Sequence, residues 1–333
     1  MKSLDKRIDS ALGALIGAAV GDALGAPLEF LTPKPKDEWV REMNGGGVLQ
    51  WEPGAITDDT TMSLAVCEMY AEKGGYDQRT LVEKWLRWKN TGPKDIGAWT
   101  HSALSKWSQF LRNHDATTPG EVDVFDVTHP VIKLWNDAGR KDAGNGGVMR
   151  CFPTALWEPF LEERVKQASR ICMDTHPDPR CIESCVLVVE GLHELIEREF
   201  DSVDDAADIF EKMTDEGGLI RNADLIDAVI DSQYVKLDSL NNGGYTVDTI
   251  HCALAAFRLS ESFEEGLVAI VNRGNDADTV GAVAGAIMGA YYGYSAIPER
   301  WLEKLQGVED LMDHVQKMYT RKCRVGVDAV TPE

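Results

Sequence analysis

Glycine recurs at every fourth residue in two widely separated stretches, as Gly13, Gly17, Gly21 and Gly25 and again as Gly281, Gly285, Gly289 and Gly293. On a helix this spacing lines the glycines along one face, and a face without side chains lets a second backbone come unusually close. The two ridges predict a pair of helices in tight contact, with the residues at their ends brought together. Those ends carry acids, Asp22 and Glu29 in one case and Asp276 and Asp278 in the other. Tight packing accounts for the glycines and leaves the acids unexplained.

Elsewhere apolar residues recur at helical spacing, as in Leu81, Val82 and Trp85 with Leu86 or Trp88, and in Ile250, Ala253, Leu254 and Phe257. The pattern predicts an all-α globule with helices near 8–24, 59–72, 78–88, 97–111, 147–157, 161–172, 179–198, 203–215, 222–231, 246–259, 263–271, 278–293 and 299–306. The most irregular chain is expected at 113–146, followed by an acidic stretch at 195–243. Apolar residues continue through both, so residues 1–333 read as one domain with elaborated loops.

A formal net charge of −21 excludes general nucleic-acid binding, because that affinity comes from Lys and Arg neutralising phosphates. Seven cysteines, an odd count without a regular frame, fit a reducing, cytoplasmic setting better than a disulfide scaffold. The early apolar run contains Asp22 and draws most of its remaining bulk from alanine. Residues 280–297 are uncharged and similarly poor in bulk, so neither stretch is read as crossing a membrane.

In "GAITDDTTMSLAV" (54–66), Thr57, Asp58 and Asp59 stand at the head of a helix with Met62, Ala65, Val66 and Met69 on its inner face. One Asp there would be an ordinary N-cap; two adjacent acids and a threonine exceed what capping requires, although the positive helix end lowers the cost of holding them. Joined with Asp276, Asp278 and Thr279, they make an all-oxygen set of four carboxylates and two hydroxyls, suited to hard cations such as Mg²⁺ or Mn²⁺. A pair of such cations relieves the repulsion among the acids, can hold vicinal oxygens of a ligand and can orient a water.

"AGNGGVMRCFPTAL" (143–156) is a glycine-rich turn feeding a helix, where free backbone N–H groups can hold a phosphate; capping by Asn145 explains the same residues. In "MDTHPDPRCIESC" (173–185), His176 is either a pocket residue or a capping or core histidine. Its spacing from Cys172, Cys181 and Cys185 matches no standard zinc finger, so Cys181 and Cys185 are read as packed thiols on a helix. No G-x-S-x-G nucleophile signature is present.

Taken in order, "GALIGAAVGDALGAPLEF", "GAITDDTTMSLAV", "KDIGAW", "GNGGVMR", "THPDP" and "GNDADTVGAVAGAIMGAYYG" followed by "IPERW" resemble the ADP-ribosylglycohydrolase family, which includes dinitrogenase reductase-activating glycohydrolase. The match spans residues 10–305, and the ordered set is specific where any one motif is not. The resemblance implies a compact all-α fold with a centre of two Mg²⁺ or Mn²⁺ ions. The implied activity removes ADP-ribose from modified proteins or other targets, cleaving the glycosidic bond at the distal ribose and releasing ADP-ribose.

The same resemblance implies roles for individual residues. Thr57, Asp58 and Asp59 match the first metal motif, and Asp276, Asp278 and Thr279 the second. Glu29 matches the glutamate of a mobile flap and Asp95 an acid implicated in catalysis, which makes both candidates for proton transfer. Asn145, Gly146 and Gly147 match the diphosphate-binding turn, and His176 a histidine of the substrate pocket.

Two departures stand out: Asn275-Asp276-Ala277-Asp278 replaces Gly-Asp-Thr-Asp with its ligands kept, and Thr100-His101 alters the polar continuation of "KDIGAW". Two other readings use the same fold: an immunity or binding protein that neutralises an ADP-ribosylating toxin, and a hydrolase of free ADP-ribose derivatives. The marker of the first would be an added terminal segment. About ten residues precede the first motif, so occlusion is disfavoured.

Overall fold

The structure, a computed structural model, describes residues 1–113 and 129–328. Its α-helices are α1 (Leu4–Gly25), α2 (Asp58–Lys73), α3 (Gln78–Lys89), α4 (Ala98–Asn113) and α5 (Pro130–Asp137). There follow α6 (Pro153–Trp157), α7 (Leu161–Met173), α8 (Pro179–Glu197), α9 (Val203–Lys212) and α10 (Ala223–Asp231). The last five are α11 (Thr246–Arg258), α12 (Phe263–Val271), α13 (Ala277–Tyr292), α14 (Glu299–Leu302) and α15 (Val308–Asp328). No strand occurs among the described residues, which agrees with the all-α reading.

The glycine ridges meet as the sequence predicts. α1 and α13 run antiparallel, with Gly13 against Gly289, Gly17 against Gly285, Gly21 against Gly281 and Gly25 against Ala277. A methyl group placed on any of these α1 glycines would overlap the carbonyl oxygen of its partner, so the contact exists only because both faces are bare. The antiparallel sense sets the C-terminal end of α1 beside the N-terminal end of α13. The apolar window of α1, long enough to cross a membrane by length and composition, is 89% buried inside the molecule.

One hydrophobic core surrounds this pair and includes Trp85, Trp107, Phe152, Phe257, Phe263 and Trp301. Three expectations change. The helix expected over 147–157 is a 3₁₀ turn, Asn145–Arg150, followed by α6, because Pro153 has no N–H with which to continue a helical ladder. Within the stretch expected to be irregular, α5 forms behind His129 and Pro130, while residues 114–128 lie outside the described residues. Beyond residue 306, α15 lays Leu311, Val315 and Met318 into the core on a face one residue wide.

Candidate active site in the cleft at the ends of α1 and α13

Asp22, fully buried near the end of α1, aims its carboxylate at the start of α2. It accepts from the Thr57 N–H at 3.0 Å, the Thr60 N–H at 3.2 Å and the Thr60 hydroxyl. This clamp sets the head of α2 against α1. Thr57 is the N-cap of α2, its hydroxyl oxygen accepting from the Asp59 N–H at 3.3 Å. The capping and metal readings of "TDD" are therefore compatible.

The hydroxyls of Thr57 and Thr279 both donate to Asp59 Oδ2, at 3.2 and 3.4 Å, which ties the two predicted metal motifs together through one carboxylate. Asp276 occupies the N-cap position of α13 without making a capping bond. Its Oδ2 accepts instead from Asn145 Nδ2 at 2.5 Å, and Asn145 also donates to the Thr249 hydroxyl at 2.9 Å. Asn145, expected to touch substrate, spends its side-chain amide on orienting an acid.

The two chain segments that carry Glu29 and Asp276 are held by reciprocal backbone bonds, from the Phe30 N–H to Asn275 O at 2.7 Å and from the Asn275 N–H to Leu31 O at 2.8 Å. Phe30 (φ 63°) and Asn275 (φ 52°) both lie in the left-handed region. For a residue as bulky as Phe this conformation costs on the order of 1–3 kcal/mol, and such strain clusters where side chains must be aimed.

The result is a cleft of about 270 Å³ whose lining includes Glu29, Asp58, Asp95, Asp276, Asp278 and Thr279 together with Asn145, Gly146 and His176. Of the remaining predicted residues, Thr57 and Asp59 stand behind this lining. Gly147 turns its Cα toward the Cys172 thiol, leaving only 2.7 Å for a methyl group. Carboxylate oxygens of Glu29, Asp95 and Asp278 lie within 4.8 Å of one another, so the two predicted proton-transfer acids sit beside a predicted metal ligand.

Among the described residues, no Lys or Arg lines the cleft. Burial, then the charges of Asp95, Asp276 and Asp58, push Glu29 up to about 9. Burial followed by Asp95 and Asp22 pushes Asp58 to about 7. Asp59 and Asp278 are raised well above the usual carboxylate range by burial and by their acidic neighbours. Asp59 Oδ1 and Glu29 Oε2 are buried without a hydrogen-bond partner among the described residues. Clustered carboxylates with orphaned oxygens and no lining cation fit a divalent-metal site, since hard cations take such oxygens and restore their ionised state.

A stability profile follows. Because Asp22 (about 6), Asp58 (about 7) and Glu29 (about 9) are raised in the folded protein, the fold holds protons that the unfolded chain releases. In chelator, the contribution of these three acids to stability is fully present below the ordinary carboxylate range and is lost as pH rises through it toward about 9. Saturating Mg²⁺ should therefore raise the Tm more at pH 8 than at pH 5. Equal increments at both pH values would contradict this assignment.

His176 is buried in the same lining, and its ring edge flanks the glycine turn. Trp99 donates to the Thr175 carbonyl at 2.7 Å and Trp107 to the Asp174 carbonyl at 2.6 Å, which pins the histidine loop. Thr100, at the altered continuation of "KDIGAW", is buried and lines the cleft. Cys181 and Cys185 are buried thiols on α8, as expected. Sequence reasoning assigned no role to Thr249, whose signal is absent from any motif, or to Arg150, which closes the quoted "GNGGVMR".

The sequence profile of the ADP-ribosylglycohydrolase family matches residues 3–326. Over 292 residues the chain is 34% identical to the ADP-ribosyl-(dinitrogen reductase) glycohydrolase of Rhodospirillum rubrum, covering 84% of this chain and 85% of that protein. It is 32% identical over 304 residues to the ADP-ribosylarginine hydrolase Tri1 of Serratia proteamaculans (strain 568), covering 89% of this chain and 75% of that one. A solved structure described as an ADP-ribosylglycohydrolase-related protein complex superimposes with a TM-score of 0.77 at 31% identity, covering 96% of this chain and 100% of its own.

Proposed function

The chain belongs to the ADP-ribosylglycohydrolase family, and from that premise we propose that it is a divalent-metal-dependent hydrolase that frees ADP-ribose from modified arginine side chains of proteins. The observation that carries this reading is the cleft whose buried carboxylates, among the described residues, meet no lining Lys or Arg and leave Asp59 Oδ1 and Glu29 Oε2 without partners. Thr57, Asp58, Asp59, Asp276, Asp278 and Thr279 would hold two Mg²⁺ or Mn²⁺ ions, which supply Lewis-acid polarisation at the distal ribose when bound.

The chain's own residues divide the remaining work. The glycine turn lines the same cleft, with Asn145 bonded to Asp276, and faces the diphosphate with backbone N–H groups. Gly146 stands in the first turn of its short helix, where N–H groups lack helical acceptors. At the acids, water adds to the anomeric carbon as the bond to the guanidine nitrogen breaks, through an oxocarbenium-like state. Glu29 is only 7% exposed and lies deep among the acids, which suits it, once returned to its carboxylate form by bound cations, to take the proton from that water. Asp95 is half-buried in the cleft lining, on the side where a leaving macromolecule must stay, and gives the guanidine its proton. Asp95 and Asp142, both in the lining, also suit a cationic leaving group.

The arginine linkage is further supported by the relatives named for it. A single-domain enzyme in the cytoplasm fits the buried free cysteines. Incubation of the protein and Mg²⁺ with ADP-ribosyl-arginine peptide, ADP-ribosyl-serine peptide and free ADP-ribose derivatives, followed by mass measurement, tests the reading. Release of ADP-ribose and unmodified arginine peptide is expected. Turnover of free derivatives alone would contradict it.

The turn's role is tested separately. A side chain at Gly146 would come within 2.7 Å of the His176 ring and 3.0 Å of the Thr100 hydroxyl. Gly146→Val should weaken ADP-ribose binding by about tenfold or more, since a group that holds the diphosphate acts in ground and transition states alike. Calorimetry showing unchanged affinity in a folded variant would remove the turn from the site.

A further inference from the structure

Arg150 is fully buried, with its guanidinium 4.4 Å from the centre of the Trp85 ring. Its hydrogen bonds go to neutral acceptors: the Gly146 carbonyl, the Ile171 carbonyl at 3.2 Å, the Thr175 hydroxyl and, at 4.0 Å, the Met62 sulfur. A guanidinium has donors and no acceptor, so the Thr175 oxygen accepts in that bond. Thr175 is itself fully buried, and its oxygen lies 2.7 Å from His176 Nδ1. That ring nitrogen is the one acceptor recorded for the Thr175 hydroxyl among the described residues. If Nδ1 carried the proton and donated to Thr175, the threonine hydrogen would be buried with no acceptor, which is strongly unfavourable.

We propose that Arg150 and Thr175 act as positioning residues that fix His176 in its Nε2–H tautomer, so that a neutral ring donor faces the glycine turn and bonds a diphosphate oxygen of the ligand. Nε2 is 3.0 Å from the point a Gly146 Cβ would occupy and 3.6 Å from the equivalent point at Gly144, so the donor stands against the turn itself. Arg150 joins the two halves of this subsite, with one arm on the Gly146 carbonyl and the other on Thr175. Burial and then the Arg150 charge hold His176 well below its usual titration range, in keeping with a ring that donates without being cationic. Only the identity of the ligand rests on the proposed function; the tautomer rests on the hydrogen-bond chain.

Ring-nitrogen NMR of the ¹⁵N-histidine-labelled protein without ligand should show His176 protonated at Nε2. Thr175→Val removes the hydroxyl while keeping the shape, and should release the tautomer preference and raise the Kd for ADP-ribose about tenfold. Thr175→Ser should keep both close to wild type. His176→Gln, whose amide nitrogen falls near Nε2, should retain more affinity than His176→Asn, whose nitrogen falls near Nδ1. A wild-type ring protonated at Nδ1, or a Thr175→Val protein with unchanged tautomer and affinity, would overturn the proposal. Wild-type protein that shows Nε2–H and binds no ADP-ribose would overturn the ligand assignment and the proposed function together, while upholding the tautomer.

Discussion

Asp95→Asn is expected to lower turnover of an arginine-linked substrate by roughly 10²–10⁴-fold even at metal concentrations that restore full occupancy, with ADP-ribose affinity near wild type and the corresponding limb of the pH profile lost. The reason is exposure. Both carboxylates lie within 4.8 Å of Asp278, but Asp95 is half-buried at the open side of the lining, where a departing guanidine would take up its proton, whereas Glu29 is buried. Glu29→Gln should therefore disturb metal affinity as well as rate, and saturating Mg²⁺ should restore part of the loss. Rate, metal affinity and pH dependence measured on both variants separate the two roles. Near-normal rates for both at saturating metal would mean that the proton is handled by neither.

Gly21→Ala and Gly285→Ala should each destabilise the fold by about 1–3 kcal/mol, the range for overpacking a closed core. The sign opposes intrinsic propensity, since alanine in place of glycine within a helix ordinarily gains about 0.5–1 kcal/mol. Here the added methyl overlaps the carbonyl oxygen of Gly281 or of Gly17, and both backbones must move apart. Gly75→Ala is the control, because nothing stands within 4 Å of the Cβ it would add. Urea unfolding should place the two ridge variants well below wild type and Gly75→Ala near it. Ridge variants as stable as the control would show that the close contact is not needed. Because the same contact sets Asp22 and Glu29 opposite Asp276 and Asp278, the ridge variants should also bind divalent metal more weakly.

How much of this was legible in the sequence depended on how many independent signals pointed to one residue. The glycine spacing specified both the pair of helices and their faces, and it left only their relative direction to the structure. Asp58, Asp59, Asp276 and Asp278 were legible because acids in excess of capping need stood at two helix heads. Asp22 could be seen only as an acid in an apolar helix; that it accepts from Thr57 and Thr60, residues of another helix head, is a tertiary fact. Asn145 was legible as a site residue through its glycine neighbours, yet its partner Asp276 lies 131 positions away, so the direction of its amide was not. α5 is hard to read from sequence because it is only eight residues long and sits inside an irregular stretch, although Val131, Ile132, Leu134 and Trp135 do fall at helical spacing.

The central claim is that the buried acids form a divalent-metal site on which hydrolysis depends. The most direct test is to measure, on one preparation, bound Mg²⁺ or Mn²⁺ by elemental analysis and turnover of ADP-ribosyl-arginine peptide, before and after exhaustive chelation, with Asp278→Asn alongside. About two ions per chain are expected, with turnover lost on chelation, regained on adding Mg²⁺ or Mn²⁺, and reduced together with occupancy in Asp278→Asn. Full turnover in excess chelator, by protein in which no metal is found, would contradict the account.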